Sequence, residues 1–383
     1  MTHKNNVNKT YQNLHINFDQ SDLDAVISAF NSTSFSGKSP IIKEYEGVMA
    51  EYFGTSHALA CANGTIAIEL ALRGLGVKPG DKIALPPTAP IMTILPILTI
   101  GCTPVFCDVA PLSFVADLGH LKELAADMDI KALIVVPMWG YPLDMGPVTE
   151  FCKTQGIGLI EDCAHAFGTA INGKYVGTFG DVSTFSTHER KLVSTGEGGF
   201  CLTNNEVIFE RMLSWQHHGL VASKRDKEYR LGEGIGTNFK LAPLCAALGI
   251  NQFKKLDSKI ASRRGRVNKL RHLLSDIPTI CEFPCYAGEE INGYSMVYRC
   301  VSGSSMARSK QLSDRGIVSD TTRYGYKPLY KEPAFEQYAT DCPNAENIID
   351  SIFTLPCHEG LTDDDLANIE GVVREIFTAE STD

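Results

Sequence analysis

The chain comprises 383 residues with a hydrophobic fraction of 44% and a formal net charge of −10 at neutral pH. This length and apolar content allow a large buried core divided into two or three domains. The acidic balance and the lack of a long Lys/Arg cluster argue against a nucleic-acid partner. No apolar run reaches the roughly 18 residues needed to cross a bilayer, and no leader-like pattern opens the sequence. We therefore expect a cytoplasmic protein that acts on a small molecule, without a membrane partner.

Cysteine usage gives no sign of a metal centre. The twelve cysteines are scattered, several of them inside apolar strand-like runs, where a free thiol acts as a small hydrophobe. The one close pair, Cys281 and Cys285, lacks the second pair or the histidines that a zinc site needs. His217 and His218 have no carboxylate at ligand spacing. We expect reduced thiols and no metal.

Apolar periodicity predicts the elements in chain order. Residues 1–20 are polar and aperiodic, as in an arm, and Ser21 with Asp24 resembles a capping box before a helix at 25–30. After a second helix at 41–53, strands and helices alternate as far as residue 162. The predicted strands are 57–61, 82–85, 105–108, 132–136, 158–162, 181–185 and 200–203, and the predicted intervening helices are 65–75, 91–100, 118–126 and 148–155.

The predicted strands are apolar throughout, which indicates an α/β fold with a mainly parallel sheet covered by helices on both faces. A long helix predicted at 256–274 leads into a smaller C-terminal α/β domain. The expected division is an N-terminal arm at 1–20, a large domain at 21–255 and a small domain at 256–383. Ligands of such sheets bind beyond the carboxyl ends of the strands, so residues that follow strands are the candidates for a site.

Two strand ends carry groups suited to binding. Gly64 and Thr65 open a helix directly after a strand, and a helix N-terminus suits a phosphate; plain N-capping by Asn63 is the alternative. Asp162 ends another strand and is followed by His165. Because a buried carboxylate without a partner is costly, Asp162 either caps the next helix or holds a positive charge.

A third strand end carries a lysine. Lys191 lies between the strand at 181–185 and a Gly-x-Gly-Gly turn at 196–199. Partial burial would draw its pKa down from about 10.4 and make the amine a nucleophile for carbonyls, whereas an ordinary surface lysine is the alternative. Pyridoxal 5′-phosphate (PLP) needs three such groups in a protein: a site for its phosphate, an anion beside its ring nitrogen and a lysine able to form a Schiff base.

Nine collinear motifs give the chain a resemblance to a known family. They are NGTIAIELAL at 63–72, PGD at 79–81, GCTPVFCDV at 101–109, IEDCAHAFG at 160–168, GTFGDV at 177–182, FSTHERK at 185–191 with TGEGG at 195–199, HG at 218–219, GTNFKL at 236–241 with AALG at 246–249, and LPCHEGLT at 355–362. From about residue 20 to 375 the chain resembles the DegT/DnrJ/EryC1/StrS family of PLP-dependent sugar aminotransferases of fold type I. The resemblance implies a large domain with a mainly parallel seven-stranded sheet between helices.

The resemblance also implies roles for individual residues. Lys191 would form the Schiff base with the cofactor and then move the proton to and from the substrate carbon. Asp162 would pair with the pyridine nitrogen and keep the ring an electron sink. The remaining cofactor contacts would be Gly64, Thr65 and Ser186 at the phosphate, His165 near the ring hydroxyl, and Asn238 at the phosphate of the neighbouring subunit. The active unit would then be a homodimer with its site at the subunit interface.

Two departures from the family pattern stand out. Pro90 occupies the position whose aromatic ring stacks on the cofactor in relatives. Either the proline stands in for that ring, or the backbone differs and another side chain covers the cofactor. The segment 323–330 only partly follows the pattern Tyr-Pro-x-Pro-Leu-His, so the substrate side is expected to be unusual.

The resemblance implies amine transfer from an L-amino acid, glutamate in relatives, to the keto group of a nucleotide-linked sugar. Such reactions supply amino sugars for surface polysaccharides or secondary metabolites. One alternative is a sugar dehydratase with the same cofactor, but relatives of that kind have histidine where Lys191 stands. The other is a non-catalytic regulatory or binding protein on this scaffold, in which loss of Lys191 or Asp162 would be expected.

Overall fold

A computed structural model describes residues 9–222, 229–230, 234–285 and 288–378. The helices are α1 (Gln20–Asn31), α2 (Pro40–Phe53), α3 (Gly64–Gly74), α4 (Ile91–Ile100), α5 (Leu118–Asp127), α6 (Gly146–Gln155), α7 (Glu206–Gln216), α8 (Pro243–Lys254), α9 (Leu256–Leu274), α10 (Met306–Asp314), α11 (Asp320–Arg323), α12 (Pro343–Ser351) and α13 (Asp363–Thr378). The strands are β1 (His57–Cys61), β2 (Lys82–Leu85), β3 (Thr103–Phe106), β4 (Ile130–Val135), β5 (Gly158–Asp162), β6 (Ala170–Ile171), β7 (Lys174–Tyr175), β8 (Val182–Ser186), β9 (Gly199–Thr203), β10 (Val221–Ala222), β11 (Tyr229–Arg230), β12 (Ile280–Glu282), β13 (Glu289–Glu290), β14 (Met296–Cys300) and β15 (Ile352–Leu355). Within these ranges no helix is both long and apolar enough to traverse a bilayer.

Seven strands form one sheet in the order β1-β9-β8-β5-β4-β2-β3. The pairs β2/β3, β2/β4, β4/β5 and β5/β8 are parallel, whereas β9 runs antiparallel to both of its neighbours, β1 and β8. The central strands β5, β8 and β9 are almost wholly buried, and helices flank the sheet. This arrangement confirms the predicted α/β fold with a mainly parallel seven-stranded sheet.

The edge strand β3 begins two residues earlier than the predicted 105–108 and includes Pro104. Proline has no amide hydrogen to donate to a ladder, which is why it is found in edge strands and not in central ones. Because β3 pairs with β2 on one side only, the missing donor costs no hydrogen bond within the sheet.

Helix α1 begins earlier than predicted, and the predicted capping box of Ser21 and Asp24 is wrong. The N-cap is Asp19, whose side chain accepts from the Ser21 amide, while the Asp22 carboxylate accepts from the Asp19 amide, both at 2.9 Å. Asp22 is only 2% exposed, and it also accepts hydrogen bonds from the side chains of α8 and the residue after it. These hydrogen bonds from distant side chains, Asn251 and Lys255, determine that Asp22 is the acidic residue that completes the capping box.

The C-terminal part contains the antiparallel sheet β12-β14-β15 together with α9, α10 and α13. The segment 9–19 packs onto this part: Tyr11 forms a parallel bridge with Ile317, with its amide 2.7 Å from the Gly316 carbonyl oxygen. Buried hydrophobic residues form one cluster that extends from Tyr11 to Phe377. The division into an arm, a large domain and a small domain stays a prediction.

Candidate active site

The carboxyl ends of three strands meet at one edge of the seven-stranded sheet. Strand β5 ends at Asp162, and the parallel strand β8 ends at Ser186. Strand β1 points the same way as β8, because β9 runs antiparallel to both. Residue Gly64, which follows β1, therefore faces the same edge as Asp162 and Ser186.

Helix α3 starts in direct contact with the end of β8. A Cβ added to Gly64 would lie 2.7 Å from Cβ of Ser186, so only glycine permits this approach. Asn63 caps the helix by accepting a hydrogen bond from the Ile66 amide at 2.9 Å. In the part of the chain that the structure describes, the amides of Gly64 and Thr65 have no acceptor. Capping by Asn63 thus coexists with a pair of amides that suit an anion such as a phosphate.

Asp162 is a buried carboxylate without an ion-pair partner among the described residues. Only 4% of its surface is exposed, and it accepts hydrogen bonds from the Thr93 hydroxyl at 2.7 Å and the Ala164 amide at 3.3 Å. Burial raises the pKa of Asp162, while these two bonds and the charge of Lys191 oppose that rise. A protonated ring nitrogen would supply the positive charge that this buried carboxylate lacks.

The loop between β8 and β9 holds Lys191 and is fixed on two sides. At its base the hydroxyls of Thr187 and Thr195 are 2.7 Å apart, and the two residues are also joined through the Thr195 amide. From α9 the ammonium of Lys259 donates to the carbonyl of Leu192 at 3.1 Å. The backbone on which Lys191 sits is therefore anchored immediately after the lysine.

The side chain of Lys191 has an unusually low pKa. Burial lowers the pKa of Lys191 to about 8, although part of the residue remains accessible, and the charges of Asp162 and Asp320 oppose the shift. A substantial fraction of the amine is therefore neutral near physiological pH, as a nucleophile or a general base requires. This favours the reactive lysine over the surface lysine.

His165 lies against an aromatic ring beside Lys191. Its ring stacks on Tyr294 with centroids 4.2 Å apart, and Nζ of Lys191 lies 5.7 Å from the centroid of the same tyrosine. Nδ1 of His165 accepts the Trp139 amide at 3.3 Å, which leaves the proton of a neutral imidazole on Nε2. Burial lowers the pKa of His165, and the charge of Lys191 adds to this. A neutral imidazole with a free Nε2–H can donate to a ring oxygen.

Pro90 lies one helical turn from the Asp162 contact. It is the N-cap of α4, and the hydroxyl of Thr93 in the first turn of that helix binds Asp162. The preceding loop is covered by Tyr326, whose hydroxyl donates to the Thr88 carbonyl at 2.6 Å. Pro90 therefore lies near the contact of Thr93 with Asp162, and its own contact with the cofactor stays a prediction.

Asn238 forms an isolated antiparallel bridge with His217 and is exposed. Its side chain makes no hydrogen bond to any residue described in the structure. The ring nitrogens of the buried His217 also lack hydrogen-bond partners. Asn238 therefore presents an unused amide at the surface, and its role toward a neighbouring subunit stays a prediction.

Sequence reasoning missed three side chains at this edge: Thr93, Tyr294 and Asp320. The sequence held a usable signal for Thr93, because it is a polar residue in the otherwise apolar first turn of α4. The structure shows that Thr93 is completely buried. Tyr294 and Asp320 lie in the C-terminal part, where segment 323–330, three residues after Asp320, was the one sequence signal for the substrate side. Only the packing of that part against the sheet brings them to Lys191.

A family model described as the DegT/DnrJ/EryC1/StrS aminotransferase family matches residues 17–374. The chain belongs to this family. The resemblance inferred from the nine motifs is thereby confirmed, and the protein is a PLP-dependent sugar aminotransferase.

Two curated relatives illustrate what this aminotransferase is similar to. GDP-perosamine synthase of Escherichia coli O157:H7 is 28% identical over 356 residues, which cover 92% of this chain and 94% of the relative. A dTDP-4-dehydro-2,3,6-trideoxy-D-glucose 4-aminotransferase of Saccharopolyspora spinosa is 29% identical over 362 residues, covering 91% and 92% respectively. Both matches extend over nearly the full length of each protein.

Solved structures agree with the fold of this aminotransferase. The aminotransferase TlmJ from Streptoalloteichus hindustanus superposes with a TM-score of 0.87 at 27% identity, over 96% of this chain and 99% of that one. The putative sugar aminotransferase Spr1654 from Streptococcus pneumoniae, known in a PLP-form, shares the fold with a TM-score of 0.85 at 22% identity, over 96% and 99% of the two chains.

The residues of this aminotransferase fit PLP on structural grounds. Free amides at the start of α3 suit the phosphate, the unpaired buried Asp162 suits the ring nitrogen, and the low pKa of Lys191 suits attack on the aldehyde. Nothing in this donor set conflicts with the cofactor.

Proposed function

We propose that the enzyme moves an amino group from L-glutamate to a keto group of a nucleotide-linked sugar, within the biosynthesis of an amino sugar for a surface polysaccharide or a secondary metabolite. The names of the relatives support this substrate class, since one concerns a GDP sugar and the other a dTDP-linked 4-dehydro sugar. The observation that carries the proposal is Lys191, partly neutral and beside Asp162 at the carboxyl edge of the sheet.

Each polar group at this edge has a proposed task. PLP, when bound, supplies an electron sink for the carbon that loses or gains a proton. Asp162, held by Thr93, keeps the ring nitrogen protonated. Lys191 carries the proton to and from that carbon, and its pKa of about 8 suits transfer in both directions. Nε2 of His165 donates toward the ring oxygen.

The remaining polar groups would hold the phosphate. The Gly64 and Thr65 amides lie at the positive end of the α3 dipole, and the Ser186 hydroxyl is adjacent. The groups that would hold the phosphate and the backbone that carries Lys191 belong to the same edge of one sheet, so their relative positions are fixed.

We infer that the active unit is a homodimer with Asn238 acting across the interface. Two helices present apolar residues to solvent, and a stripe of this kind favours burial against a second copy. The exposed apolar residues are Leu23, Ile27 and Phe30 of α1, and Ile91, Met92 and Leu95 of α4. Helix α4 begins at the cofactor edge, so a partner that covers it would come close to the site.

A two-stage assay tests the proposed function. Holoenzyme is first mixed with L-glutamate alone, and conversion of the cofactor is followed by its absorbance. GDP-, dTDP- and UDP-linked 3-keto and 4-keto sugars are then offered singly, and amination is detected by mass spectrometry, with Lys191→Ala as the inactive control. We expect glutamate to convert the cofactor and at least one keto sugar to be aminated. Conversion by glutamate without amination of any nucleotide sugar would refute the substrate class.

A further inference from the structure

A second carboxylate lies near Lys191 and has no role in the chemistry described above. Asp320 is the first residue of α11, and only 6% of its surface is exposed. Its charge is one of two that raise the pKa of Lys191, and it is the foremost charge acting on Tyr294. Asn13 bonds both Asp320 and Ser295, the neighbour of Tyr294, and the Tyr294 ring stacks on His165 and lies 5.7 Å from Nζ of Lys191. Asp320 therefore approaches the site from the C-terminal part of the chain.

The carboxylate of Asp320 is held by the segment 9–19. Nδ2 of Asn13 donates to Oδ2 of Asp320 at 2.5 Å and to the hydroxyl of Ser295 at 2.8 Å. Arg190 and Arg323 act on the charge of Asp320, yet neither forms an ion pair with it in the described structure. The side chain of Trp139 is a second neutral hydrogen-bond donor to this carboxylate. Two neutral donors are a small compensation for a buried carboxylate, because it has about four acceptor positions.

Asn13 is itself incompletely bonded. Its Oδ1 is buried and accepts no hydrogen bond from any residue that the structure describes. Buried polar atoms are almost always paired, and an orphan of this kind calls for a missing partner. Asn13 and Asp320 thus present unused acceptor capacity side by side, near the amine of Lys191, and a ligand that fits them must bring hydrogen-bond donors.

Of the two proposed substrates, the sugar supplies such donors. A hydroxylated keto sugar carries a hydroxyl group on a carbon adjacent to the reacting carbonyl, and this hydroxyl must lie close to Lys191 when the carbonyl carbon does. Glutamate brings two carboxylates, which the charge of Asp320 repels, and its one donor group, the ammonium, is the group that must react at the cofactor. The pair is therefore better suited to sugar hydroxyls than to the amino donor.

We propose that Asp320, held in place by Asn13, accepts a hydrogen bond from a ring hydroxyl next to the reacting carbonyl and so selects hydroxylated keto sugars over deoxy sugars. This inference rests on the proposed function of amine transfer to a sugar. A site that hydrogen-bonds a substrate hydroxyl rejects an analogue without that group, because its own polar groups are then left unpaired.

The test compares matched sugars that differ only in their hydroxyls. The probes are GDP- and dTDP-linked 4-dehydro-6-deoxyhexoses, each beside its 2,3-dideoxy analogue. We expect the wild-type enzyme to prefer the hydroxylated sugar by about 10- to 100-fold in kcat/KM, as for a hydrogen bond to a charged group. In Asp320→Asn this preference should fall to about threefold or less, since the amide is a weaker acceptor. Asn13→Ala should lower it in the same direction.

Two further measurements separate this role from others. Conversion of the cofactor by glutamate, which involves no sugar, should be slowed less in Asp320→Asn than amination of the hydroxylated sugar, because the charge of Asp320 is only one of two that raise the pKa of Lys191. Tyr11→Phe serves as the matched control, because Tyr11 lies on the same segment as Asn13. The substitution removes a hydroxyl that accepts a hydrogen bond from Asn368, and it should leave the sugar preference unchanged.

Two outcomes would overturn the assignment. An unchanged preference for hydroxylated sugars in Asp320→Asn would do so, as would equal slowing of the glutamate and sugar stages, which would mean that Asp320 acts through Lys191. If no sugar is aminated by the wild type, the proposed function fails instead. Calorimetric binding of the same sugar pairs to the wild type and Asp320→Asn then still decides whether Asp320 recognises the hydroxyls.

Discussion

Burial shifts the pKa values of Asp162 and Lys191 in opposite directions. Burial raises the pKa of Asp162 and lowers the pKa of Lys191, so each is pushed toward its neutral form, while each charge partly stabilises the other. A cation at the ring-nitrogen position would restore the ionised state of Asp162. The chemistry of the site therefore depends on the balance between burial and a few charges, and single substitutions should shift it measurably.

The titration of Lys191 should control attachment of the cofactor. A lysine is protonated below its pKa, so the reactive neutral amine should increase as pH rises through about 8. The rate at which apoenzyme takes up PLP, followed by absorbance, should increase over this range and level off above it. Because the charge of Asp162 raises this pKa, Asp162→Asn should move the midpoint to lower pH.

Borohydride reduction provides a direct check on the same residue. Peptide mapping after reduction should find the cofactor on the peptide that contains Lys191. A label on a different lysine would contradict the assignment, whatever the pH profile.

Asp162→Asn should also slow turnover. The amide keeps the shape and the Thr93 contact but cannot hold a proton on the ring nitrogen by its charge. We expect kcat to fall by about 100-fold or more, by analogy with the loss of one preorganised stabilising group. Thr93→Val, which removes only the hydroxyl that orients Asp162, should cause a smaller loss, and near-normal activity of Asp162→Asn would refute its role.

Pro90→Phe tests whether the proline replaces an aromatic ring over the cofactor. Offset stacking contributes about 0.5–1.5 kcal/mol beyond buried area, which corresponds to a few-fold to about tenfold in affinity. If Pro90 lies over the ring, the Kd for PLP should decrease by that factor in the phenylalanine variant. If another side chain covers the ring, the added bulk overpacks the site and the Kd increases. Equilibrium dialysis of both proteins distinguishes the two cases.

At the level of elements, Glu46 couples the packing of α2 against β1 to pH. Its carboxylate accepts a hydrogen bond from the Ala60 amide, and burial raises the pKa of Glu46 to about 7. The unfolded residue loses its proton near its ordinary pKa, so the folded state loses stability as pH rises from about 4.5 through 7.

Glu46→Gln should therefore stabilise the protein at alkaline pH. The amide oxygen can still accept from Ala60, but no proton is released on unfolding. At pH 8 we expect the free energy of unfolding to rise by about 1–3 kcal/mol, and this gain should shrink as pH falls toward 4.5. Urea denaturation of both proteins at several pH values measures the difference, and a gain that is independent of pH would contradict the explanation.

The elements of the large sheet were accessible to sequence reasoning because their signals are local. The bounds of β1, β2, β5 and α4 coincide with the predicted ones, since each is an apolar run closed by a turn or a cap. The start of α1 was not predictable in the same way, because Asp22 is chosen by donors from α8 and beyond. Likewise, motifs located Asp162 and Lys191, whereas Asp320 becomes a site residue only through long-range packing.

At the scale of the whole molecule, subunit mixing tests the homodimer and the role of Asn238. Lys191→Ala and Asn238→Asp subunits should each be inactive or severely impaired as pure dimers. In a mixed dimer, one site combines both defects and the other has neither, if Asn238 serves the neighbouring subunit. About half of the activity per mixed dimer should then return in a kcat assay. Absence of recovery in dimers shown to be mixed would mean that Asn238 serves its own chain.

The contact between Asn13 and Asp320 has a consequence for synthesis, because these residues are 307 positions apart. At a translation rate of about 5–20 residues per second, Asp320 is synthesised about 15–60 s after Asn13. Late in that interval, once β9 (Gly199–Thr203) has been made, all seven strands of the large sheet are present, but the pocket beside Lys191 has no wall on the Asp320 side. A chain released before residue 320 should therefore keep the residues at the sheet edge that would hold the cofactor. It should be unable to distinguish hydroxylated keto sugars from deoxy sugars.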